Sequence, residues 1–523
     1  MALQFCLADY VAILSILWIF LYGYLTRNRN YWKNQNVKSE TLSLLVRPIK
    51  QMRKAVCLYD QELYQKMGRV FGVYESGKPS LMLSEPDLLK QVLVKDFSAL
   101  PNRREHKFED PFLTNIMTLA PVERWRKIRQ LATPAFSTAK LRKMNDLIQD
   151  CARVNSKHLA RAAEEARDLD VKQFYGHFAL DMIARCAFGT TLDSYTDATN
   201  EFVTQARKAF AAKITPLLAI QLLLHNFVKI MKMKTVDEKA FLYFKSICQR
   251  IMKKRAENKQ RQDDFLQLMI EAREGRLAPC GESGDDPGTS FCDDGMEPKS
   301  NGAPNSKVLT EDEALAQCVL FFVGGQETTA STVAFAAHLL ATHPEAQDRL
   351  RREVDDCIST HGEEPSMDVV SKLKYLQCVV SETLRLYPSA PRLERSALED
   401  YVLGETGIKL PKGCTVIVPV YALHRDPEYF PEPDAFKPER FSDENIGSIR
   451  PYTYLPFGAG PRNCIGMRLG LHAVKVALLH SIHKVQFVRT EKTQVPLNMK
   501  IGFGAVTAED MTVGIRKRPH NVI

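Results

Sequence analysis

The chain lacks the marks of a disulfide-stapled, zinc-binding or nucleic-acid-binding protein. Its 12 cysteines, spread over 523 residues, include no Cys-x-x-Cys pair and no framework spacing. That excludes a small disulfide scaffold and points to free thiols in a reducing compartment. No dense Lys/Arg patch occurs: 71 Lys+Arg against 62 Asp+Glu leave a net charge of +9, mild for this length. Lys253-Lys254-Arg255 sits in a mixed, helical stretch, so no nucleic-acid partner is expected. A mild positive excess suits an anionic lipid surface or an acidic protein. Internal repeats, a dinucleotide-binding glycine fingerprint and a flavodoxin-like segment are all missing. With 45% hydrophobic and 25% charged residues, collagen-like, disordered and polytopic membrane classes are excluded. The length alone allows about three domains of ~150 residues.

One long apolar run is present. Residues 10–25 (YVAILSILWIFLYGYL) carry no charge, and extended back to Phe5 the run suffices for one bilayer crossing of ~20 residues. Arg27, Arg29 and Lys33 follow at once, which places the bulk of the chain on the cytoplasmic side. The rival reading is a cleaved signal peptide, which normally has a basic start and a small-residue cleavage site. Here the first eight residues hold no base, and bulky aromatics close the run. Residues 1–30 are therefore expected to be an uncleaved anchor with its basic flank, and residues 31–523 a single domain, because the motifs described below lie on both sides of the linker at 275–307. A second apolar stretch, 214–233, contains Pro216, Gln221, His225 and two lysines, so it should not span. A buried helix and an interfacial helix dipping into lipid both fit it. Residues 275–307 are rich in Gly, Pro, Ser and acidic residues, and read as a flexible acidic loop.

Thr310 and Glu313 form a capping-box pattern, and Pro344 is a stop signal. Between them a helix of about 48 Å is expected. From Ala314 to Thr342 its only acid or base, histidine aside, is Glu327, so it should be buried nearly all round. A membrane span would place Gly324-Gly325-Gln326-Glu327-Thr328-Thr329 near the bilayer centre, which is costly. Two glycines inside a helix cost roughly 1 kcal/mol each against alanine. They let something flat or small approach the backbone, and the adjacent acid and hydroxyl can carry protons into a dry pocket. A kinked helix with an internally satisfied Glu327 is the alternative.

Residues 457–466 read FGAGPRNCIG. Gly458, Gly460 and Pro461 force a tight loop around Cys464, and Gly466 opens a helix. A helix N-terminus and freed backbone N–H groups both lower a thiol pKa, so Cys464 reads as a thiolate. No second Cys or His lies at zinc spacing. Core packing, a nucleophile and the single axial ligand of haem iron remain open.

Taken together, these motifs resemble the cytochrome P450 family of haem-thiolate monooxygenases. The family's Phe-x-x-Gly-x-Arg-x-Cys-x-Gly signature is matched by Phe457, Gly460, Arg462, Cys464 and Gly466. Its long-helix signature is matched by Gly324, Gly325, Glu327, Thr328 and Thr329, and its Glu-x-x-Arg by Glu382 and Arg385. Pro438, Arg440 and Phe441 match the meander, and Trp125 and Arg129 match Trp-x-x-x-Arg. Residues 392–395 (RLER), 421–427 (YALHRDP) and the cysteine loop resemble the microsomal clan that includes the vertebrate family-3 xenobiotic-metabolising enzymes. One departure is the stretch after the anchor, YWKNQNVKSET, which lacks the usual Pro/Gly hinge.

The resemblance implies a mainly α fold with small β-sheets, and haem b (iron protoporphyrin IX) held between the long helix and the helix after the cysteine loop. It implies Cys464 as metal ligand, with Phe457 beside it. Trp125, Arg129, Arg395 and Arg462 are then expected at the haem carboxylates, with Arg103 as a further candidate. Glu382, Arg385 and Arg440 become a network behind the loop. Thr328 and Glu327 become the proton-delivering pair. Stretches 102–120, 321–329, 389–393 and 501–506 become pocket walls, with Phe108, Phe112, Phe321, Phe322, Gly324 and Phe503 giving an apolar lining. O2, a lipophilic substrate and the membrane are the implied partners. Electrons are expected from a separate NADPH-cytochrome P450 reductase, with cytochrome b5 as a second donor, docking on a basic face around Arg126, Lys127 and the cysteine loop. The expected location is the endoplasmic reticulum membrane, facing the cytoplasm. Two rivals stand beside this: a reductase-independent haem-thiolate isomerase of lipid peroxides, whose members often lack the distal threonine, and a tethered haem or gas sensor.

Overall fold

Apolar periodicity in this chain is converted mostly into helix. The computed structural model describes residues 7–40, 50–51, 53–75, 77–104, 112–192, 194–195, 201–210, 239–262, 264–276, 308–502 and 504–518. Phe108, Phe503, the stretch 214–233 and residues 277–307 of the acidic segment lie outside the described residues. The longer helices are α1 (Leu7–Thr26), α2 (Val56–Met67), α3 (Val122–Ala132), α4 (Thr138–Glu164), α5 (Val171–Phe188) and α6 (Glu201–Phe210). They continue with α7 (Lys239–Asn258), α8 (Phe265–Arg273), α9 (Glu311–Thr342), α10 (Pro344–His361), α11 (Lys374–Leu386) and α12 (Met467–Lys484).

Three small sheets accompany them among the described residues. The first has the order β1 (Val70–Glu75), β2 (Lys78–Leu83), β7 (Thr415–Val418), β4 (Leu393–Ser396). Its β2–β7 pair is parallel, with Ser80 opposite Thr415, and the other two pairs are antiparallel. The second has the order β3 (Asp168–Asp170), β9 (Thr512–Lys517), β8 (Val485–Val488), and the third pairs β5 (Tyr401–Val402) with β6 (Lys409–Leu410). The architecture is mainly α with small sheets, as expected.

The capping box forms at the start of α9. Thr310 Oγ1 accepts from Glu313 N–H at 3.2 Å, and Glu313 Oε2 accepts from Thr310 N–H at 2.9 Å. The helix then runs 32 residues and stops before Pro344. It packs along α5 and against α7, α8, α11 and α12. Residues 314–319 and 330–341 are buried, whereas Gly324 is exposed and Val323, Gly325, Glu327 and Thr328 are half-buried. The burial of α9 is therefore interrupted on one side, at the segment where sequence placed the anomaly.

The apolar run near the start is helical over 20 residues as α1, and exposes Ile16, Trp18, Ile19 and Tyr22. Among the described residues no helix is long and apolar enough to cross a membrane. The hinge-less stretch after α1 is pinned to the first sheet. Trp32 is 0% exposed and donates its Nε1–H to Val73 O at 3.2 Å. Tyr31 OH donates to Lys409 O at 2.9 Å, and Tyr74 OH to Arg29 O at 2.8 Å. A buried tryptophan thus anchors the stretch where a Pro/Gly hinge was missed.

Candidate active site

The cysteine loop is built by its glycines and closed by the backbone. Gly460 has φ +70°, and a Cβ there would lie 2.0 Å from Leu93 O, so only glycine fits the approach. Asn463 N–H donates to Gly460 O at 2.9 Å and Cys464 N–H to Phe457 O at 3.0 Å. Gly466 is the N-cap of α12, and its backbone N–H donates to the Cys464 sulfur. The other eight described cysteines are buried free thiols, while Cys464 is exposed. Opposing effects act on its pKa when no cation is bound. Burial pushes the thiol up, against the Gly466 N–H and the Arg129 and Arg103 charges, which pull it down. Exposure and desolvation coexist because the sulfur sits in a recess, reachable by solvent but walled by protein. The helix N-terminus does not by itself make this cysteine a thiolate. A coordinated cation would, because a metal displaces the thiol proton outright.

Four guanidiniums surround the loop. Arg129 Nη1 and Nη2 donate to Asn463 O and Oδ1 at 3.0 and 2.7 Å, and Arg103 Nη2 donates to Arg462 O at 3.3 Å. Arg462 Nε donates to Pro101 O at 3.0 Å, and its guanidinium lies 4.4 Å from the centre of the Trp125 ring. Arg395 is 2% exposed, and its Nε has no hydrogen-bond partner. Burial lowers the pKa of all four: Arg395 and Arg462 to about 9, Arg129 to about 10, and Arg103 also downward. Mutual repulsion adds to this, because Arg103 acts on the other three. A cluster of desolvated cations this short of anions is costly unless a negatively charged group completes it.

Across from the loop, a narrow cleft is lined by Thr328, Thr329 and Thr332 of α9, by Leu384 and Ser389, by Phe457, and by Gly470, Leu471 and Val474 of α12. Thr328 Oγ1 donates to Gly324 O at 2.6 Å. A Cβ at Gly324 would meet nothing within 4 Å, so space is open beside it. Gly325 differs: a Cβ there would lie 2.5 Å from Ile183 Cδ1 of α5. Its missing side chain serves helix packing, not the cleft. Glu327 is paired with Lys172 of α5 at 2.8 Å, a partner that sequence reasoning did not name. A larger cleft of about 830 Å³ lies between α7 and α8, but its walls are mainly charged and it shares no residue with this site.

Behind the loop, Glu382 and Arg385 of α11 are both 0% exposed. Arg385 Nε and Nη2 donate to the Glu382 carboxylate at 2.7 and 2.8 Å. Arg440 Nε joins at 3.3 Å and Lys437 N–H at 2.9 Å. Glu382, Arg385 and Arg440 thus share one set of hydrogen bonds centred on the Glu382 carboxylate. His424 extends it: its Nε2 accepts from Leu455 N–H at 2.8 Å, so its Nδ1–H donates to Arg385 O at 3.1 Å. It carries the network to within two residues of Phe457. Its only signal in the sequence was its place in the stretch YALHRDP.

A family model described as Cytochrome P450 matches residues 39–511. The chain belongs to the cytochrome P450 family. It is 33% identical to cytochrome P450 3A41 of Mus musculus over 497 residues, covering 94% of this chain and 93% of that protein. It is 34% identical to cytochrome P450 3A6 of Oryctolagus cuniculus over 505 residues, covering 95% of each. It is 32% identical to cytochrome P450 3A7 of Homo sapiens over 518 residues, covering 98% and 97%. As a cytochrome P450, the chain has the α+β fold of that family and binds haem b through a cysteine thiolate. The family is one of monooxygenases that use O2, a redox partner and lipophilic substrates. The four desolvated guanidiniums, with the orphaned Arg395 Nε, fit a group carrying two carboxylates, which haem b does.

Two of the aromatics expected in the P450 pocket lie elsewhere. Phe322 is 0% exposed and packs among Phe188, Phe202 and Phe244, the last at 4.3 Å between centroids. Phe112 is 1% exposed, with Lys245 Nζ 4.6 Å from its ring. Neither offers a free face, because the apolar core claims large rings first. Phe321 is half-buried and stacks on Phe265 at 4.4 Å. On the basic face, Lys127 is committed to Glu313 at 2.8 Å, whereas Arg126 is exposed.

Proposed function

We propose that this cytochrome P450 inserts one oxygen atom of O2 into lipophilic molecules such as xenobiotics, steroids or lipids. Its electrons come from NADPH through a separate NADPH-cytochrome P450 reductase, with cytochrome b5 as a second donor. The observation that carries this is the ring of four desolvated guanidiniums around a loop whose single exposed cysteine takes the Gly466 N–H. Cys464 would hold the iron, and haem bound there supplies oxygen activation, favoured by thiolate donation. Arg395, Arg462, Arg129 and Arg103 would take its carboxylates, with Trp125 packed beneath Arg462 and Phe457 beside the loop. Gly324 leaves room on the opposite side. The Thr328 hydroxyl, which donates to Gly324 O, lies at the cleft wall, and the Glu327 carboxylate, held by Lys172, would pass a proton taken up from solvent toward it. Glu382, Arg385 and Arg440 keep the loop's supporting segment in place. Phe321 and Gly324 are the described residues proposed to border the substrate.

The exposed apolar side chains of α1 support a membrane tether through residues 1–30, with residues 31–523 as the catalytic domain on the cytoplasmic face of the endoplasmic reticulum. Exposed Arg126 is proposed for the reductase-docking face. Purified protein with reductase should convert lipophilic probes in an NADPH-dependent way. Cys464→Ser should abolish the long-wavelength reduced-CO Soret band of a thiolate-ligated haem; a mutant that kept the band would refute the ligand assignment. Product formed from a lipid hydroperoxide without NADPH would instead favour the isomerase, and no turnover with either would favour the sensor.

A further inference from the structure

Arg462 is a buried cation, 4% exposed, two residues before Cys464, and no carboxylate pairs with it among the described residues. Its hydrogen bonds go to neutral groups. Besides Pro101 O, they are Met117 O at 3.2 Å, Ala120 O at 3.0 Å and Asn102 Oδ1 at 3.5 Å. Two of these acceptors sit on residues 113–120, which hold one 3-10 turn and a second turn closed on Ile116 O by the N–H groups of Leu119 and Ala120, both at 2.9 Å. Neither turn uses the N–H or C=O of Met117, which is held from outside the stretch.

The group holding the Met117 N–H is Gln317 of α9, 1% exposed. Its amide is fully used. Oε1 accepts from Met117 N–H at 3.1 Å, and Nε2 donates to Asn115 O at 2.8 Å and Glu313 O at 2.9 Å. Met117 is therefore gripped at both ends, its N–H by Gln317 and its C=O by Arg462. Holding the Met117 N–H fixes the Ile116–Met117 peptide plane, and only the φ and ψ of Met117 then separate that plane from the carbonyl held by Arg462. The geometry points to Gln317 as a positioning residue for Arg462. Through Met117 it ties the long helix to the cysteine loop from the opposite side of the site. Gln317 touches neither Cys464 nor the cleft lining, and nothing in its sequence context marks it.

The inference rests on the reading that the Cys464 loop holds haem, and the experiment separates the two. A matched control exists in Gln347, 0% exposed, whose amide also makes three backbone bonds, to Leu340 O, Phe487 O and Phe487 N–H at 3.0, 2.8 and 2.9 Å. Its partners lie outside the cysteine loop. The probe is haem release from the holoenzyme to an excess of a haem-acceptor protein, read beside thermal unfolding and the reduced-CO spectrum. Gln317→Met should release haem about five- to tenfold faster, the loss expected from a disrupted buried polar contact. Gln347→Met should lower thermal stability comparably and leave haem release unchanged. In an Arg462→Lys background the Gln317→Met effect should largely vanish, because both changes act on one link. Equal acceleration by both glutamine variants, or additivity with Arg462→Lys, would overturn the inference. So would unchanged release from Gln317→Met with a normal wild-type spectrum. A wild-type protein without the thiolate band would instead sink the haem-thiolate reading itself. Gln317→Asn, which retracts the amide by one carbon, replaces the methionine variant if that does not fold, and the same readings decide.

Discussion

Lys172 Nζ lies 2.8 Å from Glu327 Oε1 and joins the first turn of α5 to the opened segment of α9. Lys172 is itself held in place, since Asp170 caps α5 and accepts the Lys172 backbone N–H at 2.9 Å. Ser331 Oγ approaches the same carboxylate at 3.5 Å. The acid next to Thr328 is thus tethered to α5. Both partners are partly solvated, and a pair of that kind is worth ~1 kcal/mol or less. It can open and re-form during turnover.

Lys172→Met should therefore leave substrate binding intact and lower product formation by up to ~10-fold, a part of what a positioned acid contributes. Peroxide released per NADPH consumed should rise. Thr328→Ala, which removes the hydroxyl at the cleft itself, should raise it further. Product and peroxide yields measured on the same preparations check both. Unchanged coupling in both variants would count against proton delivery through this pair.

The two glycines of α9 should respond in opposite ways. Gly325→Ala drives a methyl toward Ile183 Cδ1 and should destabilise the fold by about 1–2 kcal/mol, the overpacking cost exceeding the gain in helix propensity. Adding Ile183→Val, which removes that carbon, should restore most of the loss. Gly324→Ala meets no atom, so it should stabilise the helix by up to ~1 kcal/mol while narrowing the space beside the haem site. Thermal unfolding of the three variants, with substrate-binding spectra for Gly324→Ala, decides this.

His424 makes a pH prediction. In the unfolded chain a histidine takes up its proton near pH ~6.5. In the fold, burial and then the nearby Arg385 charge hold its pKa down to about 3. The unfolded state therefore binds one more proton between these values. Its contribution to stability is intact above pH ~6.5 and falls by up to ~1.4 kcal/mol per pH unit as pH drops toward the folded value. Protonation also deprives Leu455 N–H of its acceptor. Denaturant midpoints measured from pH 7 to 4 should fall less steeply for His424→Gln than for the parent chain, with a lower starting stability at pH 7. Parallel slopes would contradict the assignment.

Much of the site could be read before any coordinates. The capping box, the interrupted helix, the glycine loop around Cys464 and the Glu382–Arg385 pair are short-range patterns. Each depends on residues a few positions apart, and local geometry alone decides them. Other features could not be read, because they join segments far apart in the chain. Lys172 reaches Glu327, Met117 reaches Gln317, and His424 reaches Leu455 only once the helices pack.

The aromatics show the same boundary from the other side. Phe321 and Phe322 are neighbours of identical chemistry, yet one stacks on Phe265 at a half-buried face and the other vanishes into the core. Helix phase decides that, and phase is fixed only when α5, α7 and α8 close on α9. What the amino-acid order determined by itself was the thiol's loop, the basic residues able to surround it and the weak point in the long helix. What tertiary packing decided was which charges lose water. Burial, summed over distant segments, pushes the Cys464 thiol up and the four guanidiniums down. A group that carries two carboxylates and a metal ion offsets that desolvation.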